Sequence, residues 1–352
     1  MLKLRRGVIA AADPLTVEVA GEVRRAWADS ALVGPCEPGD EVIVNTAALD
    51  LRLGSGGFDV VHVNLTRGLE GGETAAGVHV MKLNYTSLQH AVDPIEAPVG
   101  SPVRPERAVP VLVLPLHGHL APAAWAFGRG AGAGRSLGYV QTPGGALAGS
   151  MSRDVEQLRE LGLLSEAISA GPCFGAELEA ISVTGALHAA AVERGWDAIV
   201  TAPGPGILGS ESRYGHGGLA ALDTAHAALA LGLPVLLSPR LSAGDPRERH
   251  LGLSHHTRSV LELLLAGVRV AVPTQADALW PVPQDPATAG PIPHELAEAC
   301  GERHEPLLAR ADPAGYAGSG LPRRTMGRDL AEDELFFTAP LAAGAALATL
   351  LP

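Results

Sequence analysis

The stretch VPVLVLPLHGHLAPAAWAFG, residues 109–128, predicts the fold of the larger part of this chain. Its first eight residues form a continuous apolar run, which is typical of a strand that is buried on both faces of a parallel sheet. A polar loop, HGH, and an apolar helical segment follow at once. A strand, a loop and a helix in this order form the repeating unit of a doubly wound α/β fold.

The same order of strand, loop and helix recurs as far as residue 273. Further strands are predicted in the segments SLGYVQTPGG (136–145), WDAIVTAPGPG (196–206), LPVLLSPR (233–240) and VRVAVP (268–273). Helices are predicted over 152–164, 176–195, 218–232 and 259–267, with a last buried helix in the apolar segment 333–351. This alternation predicts right-handed βαβ units and a mostly parallel sheet. The proline-rich segment 278–295 is expected to be mostly loop.

The first ninety residues have a different pattern. The segments LTVEVAG, DEVIVNTAA and FDVVHVNL alternate apolar and polar residues or are rich in Val, and turn residues separate them. A glycine-rich hairpin is predicted at 54–57. Short strands at this spacing predict a small β-barrel or β-sandwich. We therefore expect a β-rich domain over 1–90, a proline-rich linker over 91–108, and an α/β domain over 109–352 that carries the site.

Composition excludes some classes of partner. Of the 352 residues 47% are apolar, which is ample for a large core, and the net charge is −12. Nucleic acid is held by clustered cations, so a chain this acidic is not expected to bind it. The longest C-terminal apolar stretch, 338–352, is too short to span a membrane. We expect no membrane partner, and a homodimer only as the base-rate oligomeric state.

The cysteines indicate the compartment. Cys36, Cys173 and Cys300 are odd in number, lie far apart in the sequence and form no CxxC pair. This pattern is not that of a disulfide framework or a zinc ribbon, and it fits a reducing cytoplasm.

Four loops mark the edge of the predicted sheet at which a ligand is expected to bind. In open parallel sheets, ligands bind in the loops that follow the carboxyl ends of the strands. Here those loops are 114–119, 142–145, 201–206 and 238–240. All four are polar or glycine-rich, although the strands before them are apolar. The sequence therefore predicts a site at this edge.

The first of these loops contains the pair His117 and His119. Two imidazoles at this spacing can share one metal ion in an extended segment, so they are candidate ligands for a divalent transition metal. The alternative is a pair of loop histidines that form hydrogen bonds with nearby backbone.

The third loop begins the glycine-rich stretch TAPGPGILGSESRYGHGGL, residues 201–219. Gly204 and Gly206 would let backbone N–H groups approach an anionic ligand, and His216 stands before the next helix. The spacing matches neither GxGxxG nor a Walker loop, so a nucleotide fingerprint is not supported. The alternative is a turn in which the glycines only supply positive φ angles.

The stretch DPRERHLGLSHHT, residues 245–257, follows the fourth loop and is unusually polar for this chain. Arg240, Arg247 and Arg249 can offer forked donors to a carboxylate or phosphate. His250, His255 and His256 offer acid/base groups or metal ligands near neutral pH, and His216 is a further candidate for acid/base catalysis. Ser254 is a suitable N-cap for a helix that begins at His255. The alternative is a solvated loop with charge pairs.

Six segments together carry a family resemblance: NTAALDLRLGSGGFD, VMKLNYTSLQ, GPGILG, GHGGL, DPRERHLGLSHHT and TMGRDLAEDELFF. With them, nearly the whole chain resembles an uncharacterised bacterial domain-of-unknown-function family found in actinobacterial and related genomes. The SHHT segment among them is quite specific. The resemblance implies a bacterial cytoplasmic protein, and it carries over no catalytic residue because the family has no assigned activity.

These observations favour an enzyme that acts on a small anionic molecule bearing phosphate or carboxylate. Its chemistry would be histidine acid/base catalysis or histidine–metal catalysis. Two alternatives stay open: a ligand-binding or regulatory module without turnover, and a structural assembly protein. The sequence alone does not decide whether the chain is an enzyme.

Overall fold

The computed structural model describes residues 1–51, 56–72, 77–275 and 291–352. Within this part of the chain it confirms the predicted fold class, a β-barrel followed by a parallel α/β sheet. The chain divides into two units, Met1–Asp93 and Pro94–Pro352. No helix among the described residues is both long and apolar enough to cross a bilayer.

The first unit contains a closed five-stranded barrel. Its elements are, in chain order, β1 (Leu4–Ala12), β2 (Leu15–Val19), β3 (Glu22–Trp27), α1 (Ser30–Val33), β4 (Glu41–Asn45), α2 (Ala47–Asp50), β5 (Asp59–Asn64), β6 (Val80–Lys82) and β7 (His90–Val92). The barrel order is β1-β2-β3-β5-β4, and β1 closes it by pairing with β4. Alternate Val residues such as Val17, Val19 and Val42 fill the interior. The hairpin predicted at 54–57 lies partly outside the described residues.

The second unit contains the parallel sheet. Its strands are β8 (Val111–Val113), β9 (Leu137–Thr142), β10 (Ala167–Ala170), β11 (Leu178–Ala180), β12 (Ala198–Pro203), β13 (Val235–Leu237), β14 (Leu241–Ser242), β15 (Gly252–Leu253), β16 (Arg269–Gln275), β17 (Glu305–Ala311), β18 (Arg324–Thr325) and β19 (Arg328–Asp329). In the described part of the chain, eight of them pair in parallel in the order β11-β10-β9-β12-β8-β13-β16-β17.

Helices cover both faces of this sheet. They are α3 (Leu120–Ala131), α4 (Arg153–Glu160), α5 (Val183–Val192), α6 (Ala220–Ala230), α7 (His255–Leu263), α8 (Pro291–Cys300), α9 (Pro313–Ala317) and α10 (Glu334–Thr349). Val111 and Val113 pack with the apolar residues of α5 to α8, whereas Leu112 between them packs with those of α3, α4 and α10. Because both faces of β8 are buried, all three of its residues are apolar.

The predicted helix over 176–195 is wrong in its first part. Leu178–Ala180 instead forms the edge strand β11, which pairs in parallel with β10. The helix starts only after Ser182, whose side chain accepts the backbone N–H of Gly185. Pairing at the sheet edge thus overrides the helical propensity of the Ala- and Glu-rich sequence. The strands β10 and β17 were not predicted either.

The loop predicted over 278–295 lies outside the described residues as far as 290. From Pro291 the chain is helical, so the last part of that prediction is wrong. A proline fits the first position of a helix because its missing N–H has no partner there in any case. The last buried helix is confirmed as α10.

Residues 94–108 of the segment predicted as a linker belong to the second unit, and two of their side chains contact other parts of it. A carboxylate oxygen of Glu96 accepts the backbone N–H groups of Ile181 and Ser182. Arg107 pairs with Asp197 at 2.8 Å.

Asp197 joins three segments of the second unit. It accepts hydrogen bonds from Arg107, Arg135 and both the backbone and the hydroxyl of Ser136. Burial alone would raise the pKa of Asp197, but these bonds outweigh burial and lower it to about 2. The folded-state pKa is therefore below the value of about 3.9 in an unfolded chain.

Replacing Asp197 with Asn should lower the free energy of unfolding at pH 7 by about 1 kcal/mol, a modest value because solvent screens the half-exposed arginines. A depressed pKa stabilises the fold above the unfolded value and loses that effect as pH falls through the folded one. The difference in the free energy of unfolding between the wild-type protein and Asp197→Asn, which we call the deficit, should therefore shrink between pH 4 and pH 2. Urea titrations of both proteins at pH 7, 5, 4 and 3 measure it; a deficit that stays constant down to pH 3 would contradict the assignment.

Candidate functional site

The candidate site lies at the carboxyl ends of three neighbouring strands. His119 follows β8, His216 follows β12 and Arg240 follows β13. β8 lies between β12 and β13, and the chain leaves it towards β9 on one side before it returns to reach β13 on the other. Such a change of direction opens a crevice at the carboxyl edge of a doubly wound sheet.

The segment from Arg240 to Thr257 is folded back on itself. β14 and β15 pair in antiparallel fashion, and the backbone N–H of Ser254 donates to the carbonyl of Arg240 at 3.0 Å. The backbone N–H of Arg240 donates to the hydroxyl of Thr257 at 2.8 Å. Ser254 is the N-cap of α7, as predicted, and accepts the backbone N–H of His256. These contacts bring the histidines of this segment beside the Arg240 side chain.

Asp245 is the buried centre of the charged groups in this segment. Its side chain has no solvent exposure and accepts a forked pair of hydrogen bonds from Arg247 at 2.9 and 2.8 Å. Arg240 donates to it at 3.3 Å, and Arg328 lies 3.8 Å away. Burial raises the pKa of Asp245, but the bonds and charge of Arg247 outweigh burial and hold it far below its usual range. The carboxylate is therefore ionised.

A second buried carboxylate, Asp333, anchors the same loop from the start of α10. It accepts the hydroxyl of Ser242 at 2.6 Å and the backbone N–H groups of Ala243 and Gly244. Arg328 donates to it at 3.0 Å. The loop that carries the site is thus fixed by a residue far along the chain.

Four histidines form one contiguous group, which we call the histidine cluster: His216, His250, His255 and His256. The rings of His216 and His256 stack with centroids 3.7 Å apart and planes 6° apart. The His255 centroid is 4.4 Å from that of His256 and 5.3 Å from that of His216. The His250 ring lies 4.9 and 5.1 Å from those of His256 and His255. The adjacent residues His255 and His256 therefore both contact the other two histidines.

Burial keeps the histidine cluster uncharged. It lowers the pKa of all four imidazoles, to about 3 for His250 and to about 2 for His256. The charge of Arg240 lowers them further, and Arg240 donates to Nδ1 of His256 at 3.2 Å. Burial also lowers the pKa of Arg240, to about 10, so it is still a cation at neutral pH. The site therefore combines neutral imidazoles with a cationic guanidinium.

Several polar atoms of the site have no hydrogen-bond partner of good geometry in the described part of the chain. They are both ring nitrogens of His216, Nε2 of His255, Nε2 of His119 and Nε of Arg240. Burying such groups without partners costs free energy, and clusters of them occur where a ligand or ordered water completes the bonding.

The glycines of the third loop allow two loops to pack closely. A Cβ at Gly204 would lie 2.2 Å from the carbonyl oxygen of Ala146, and one at Gly217 would lie 1.9 Å from that of Gly144. Gly206 has a φ of +69°, which glycine adopts freely. Packing and turn geometry thus account for Gly204 and Gly206, and a ligand held by their amides stays a prediction.

The two histidines of the HGH loop have separate surroundings. Nε2 of His117 lies 2.8 Å from the hydroxyl of Ser152, and its Nδ1 contacts the carbonyl of Pro203 at 3.3 Å. The His119 ring packs against Phe336 at 4.8 Å, and burial followed by the charge of Arg240 lowers its pKa to about 3. The two rings thus have different neighbours. The charge of Arg240 acts on His119, whereas His117 contacts Ser152, the N-cap of α4, and Pro203 of β12. A metal shared by this pair stays a prediction.

Sequence reasoning placed Arg249 beside the site, and its charge does act on His255. It gave no role to Arg328 and Asp333. Both lie in the TMGRDLAEDELFF segment, but no local pattern there indicates a contact with residues 240–245. His250 was noted in the polar stretch, yet only the folded loop shows that it joins the cluster.

Comparisons with known proteins give one match. Neither the curated proteins nor the solved structures include a match to this chain. A family model described as "Protein of unknown function (DUF3866)" matches residues 25–344. Because this match covers most of the 352 residues, it confirms the resemblance drawn from the motifs, and the chain belongs to this family of unknown function.

Proposed function

We propose that this protein is an enzyme that acts on a small anionic molecule carrying phosphate or carboxylate. One observation carries the proposal: the buried cation Arg240, with Nε unpartnered, lies against a cluster of uncharged imidazoles. A cation with an unused donor attracts an anion, and a neutral imidazole beside it can accept a proton from that anion or from water.

The charge balance around the loop supports anion binding. Arg240, Arg247 and Arg328 surround only two carboxylates, Asp245 and Asp333, which leaves one positive charge in excess. Arg247 makes the two shorter bonds to Asp245 and Arg240 a longer one, while Nε of Arg240 has no partner among the described residues, so Arg240 keeps a donor for a ligand. His255 is the least buried member of the cluster and is therefore assigned the acid/base role, with His216 and His256 behind it.

The wider setting belongs to the same proposal. A bacterial, cytoplasmic location fits the family resemblance, and no disulfide joins the three cysteines, all of which are described. The net charge of −12 supports a small-molecule partner in preference to nucleic acid. We propose no membrane partner. The largest assembly that we propose is a homodimer.

Anion binding can be tested by thermal shift with inorganic phosphate, pyrophosphate and citrate as probes. At least one probe should stabilise the wild-type protein, by about 2.7 kcal/mol at one hundred times its dissociation constant. Arg240→Lys keeps the charge but loses the planar fork, so binding should weaken about tenfold or more. Arg258→Lys is the matched control, because Arg258 pairs with Glu295 of α8 and not with the charged groups around Asp245.

The outcomes separate the proposal from its alternatives. If none of the three probes stabilises the folded protein, the anion site is wrong. If phosphate binds through Arg240 and phosphate esters also bind but are never converted, as followed by ³¹P NMR, the protein is a binding module instead of an enzyme.

A further inference from the structure

We infer that His216, His255 and His256 form a binding site for one divalent transition-metal ion of the Zn²⁺ class. This inference rests on the proposed function, because the ion would be the cofactor of the same site. With the ion bound, His255 would be a ligand, and a metal-bound water would take over the acid/base role that His255 has without it. Each of the three residues offers one ring nitrogen, and these three atoms all lie within 4.8 Å of one another. The sequence offered His255 and His256 as metal ligands beside the pair His117 and His119; the structure groups them with His216 instead.

The donor set selects the class of metal. Three imidazole nitrogens without a carboxylate suit Zn²⁺, Co²⁺, Ni²⁺ and Cu²⁺, whereas Mg²⁺ and Ca²⁺ need oxygen ligands. A metal ligand must be deprotonated at the bonding atom, and a neutral imidazole offers one such nitrogen, so each of the three rings can bind the ion through one atom. Three protein ligands also leave a coordination position for water or substrate, as in catalytic zinc sites.

The unpartnered atoms supply an independent observation. His216 is 6% exposed, and neither of its ring nitrogens has a hydrogen-bond partner of good geometry among the described residues, although the backbone of Arg213 lies close enough to raise its pKa. Nε2 of His255 is buried and has no partner among these residues either. A histidine buried only for packing normally bonds to backbone, as His304 does through Nε2 to the carbonyl of Leu261. Orphaned nitrogens that converge from two elements therefore point to a shared ligand.

Gly218 keeps space beside two of the rings. A Cβ there would lie 3.0 Å from Nδ1 of His216 and 3.1 Å from Nδ1 of His256. Any larger residue at 218 would press on both nitrogens. Gly218 has no positive φ that would explain the glycine by backbone geometry.

Arg240 couples the metal to the anion. Because Arg240 donates to Nδ1 of His256, the proton of that neutral ring is on Nε2. Coordination by His256 therefore requires one of two changes. Either the metal takes the place of Arg240 at Nδ1, or the imidazole ring flips about its Cβ–Cγ bond. Either change frees a second guanidinium nitrogen for an anion at the open metal position. Metal and anion should then bind with positive, reciprocal coupling.

The test uses full-length protein without a histidine tag, stripped with a chelator and dialysed. Calorimetric titration with Zn²⁺ and visible absorption with Co²⁺ should both give one ion per chain. His216→Ala, His255→Ala and His256→Ala should each weaken binding at least about 100-fold. His250→Ala, which removes a cluster member outside the donor set, and the exposed His294→Ala should both retain one ion.

Folding of each variant is checked by circular dichroism. His255 is the least buried of the three ligands, so His255→Ala keeps the test decisive if the other two fail to fold. The inference is overturned if folded wild-type protein binds neither Zn²⁺ nor Co²⁺ stoichiometrically, or if folded His255→Ala binds them as tightly as wild type does.

The metal inference and the proposed function fail in different ways. If no metal binds but phosphate stabilises the protein through Arg240, the metal inference fails and acid/base chemistry stands. If metal binds but phosphate, pyrophosphate and citrate bind neither with it nor without it, the anion proposal fails alone. Phosphate that binds several-fold more tightly to Zn²⁺-loaded protein than to stripped protein supports the coupling through Arg240.

Discussion

Replacing Asp245 with Ala is expected to lower the free energy of unfolding by about 3–5 kcal/mol, the cost of leaving buried charge uncompensated. Arg240, Arg247 and Arg328 all face this carboxylate, and its side chain is completely buried. Without it, three guanidinium groups would repel one another in a region that water reaches poorly. Urea-induced unfolding at pH 7, followed by circular dichroism, measures the loss.

Glu248→Ala provides the control for Asp245→Ala. Glu248 is an exposed acid three residues further along, so its removal should change stability by no more than about 0.5 kcal/mol. Asp245→Asn keeps the size of the side chain but not its charge, and it should lose nearly as much stability as Asp245→Ala. If Asp245→Asn is as stable as wild type, the ion network is not what holds this loop.

Replacing Gly217 with Ala should cost about 3 kcal/mol or more and displace His216. The new Cβ would lie 1.9 Å from the carbonyl oxygen of Gly144, a contact between backbones that no side-chain rotation relieves. The loops after β9 and β12 must move apart, and His216 is the neighbour of the substituted residue. Loss of Zn²⁺ binding together with a lowered melting temperature is the expected result.

Gly209→Ala is the matched control for Gly217→Ala. Gly209 lies in the same loop, and a Cβ added there meets no atom within 4 Å. It should keep both stability and metal binding close to those of wild type. A Gly217→Ala protein with the wild-type melting temperature would contradict the close contact between the loops.

Local sequence patterns predicted the fold class, although they missed the strands β10, β11 and β17. The apolar run in VPVLVLPL predicts β8 because that strand is buried on both faces, and Ser254 predicts the start of α7 because its hydroxyl caps a backbone N–H. The rule that sites lie at the carboxyl ends of parallel strands placed His216 and Arg240 on one edge, and the structure brings them together.

The sequence patterns did not predict the contacts between segments that lie far apart in the chain. β11 is a strand because β10 lies beside it, and nothing in its own three residues excludes a helix. The charges of Arg328 and Asp333 give no sign that they hold residues 242–245. His117 and His119 share a motif, but the 3₁₀ turn that contains them directs their rings to different neighbours.

The anchoring of the site loop by Asp333 has a consequence for synthesis of the chain on the ribosome. Asp333 lies 91 residues after Ser242, and at 5–20 residues per second it is made on the order of 5–20 s later. During that interval the backbone N–H groups of Ala243 and Gly244 lack their acceptor. The site loop can therefore take its final form only after α10 has begun to emerge. A nascent chain that already contains all four cluster histidines does not yet hold them in a finished site.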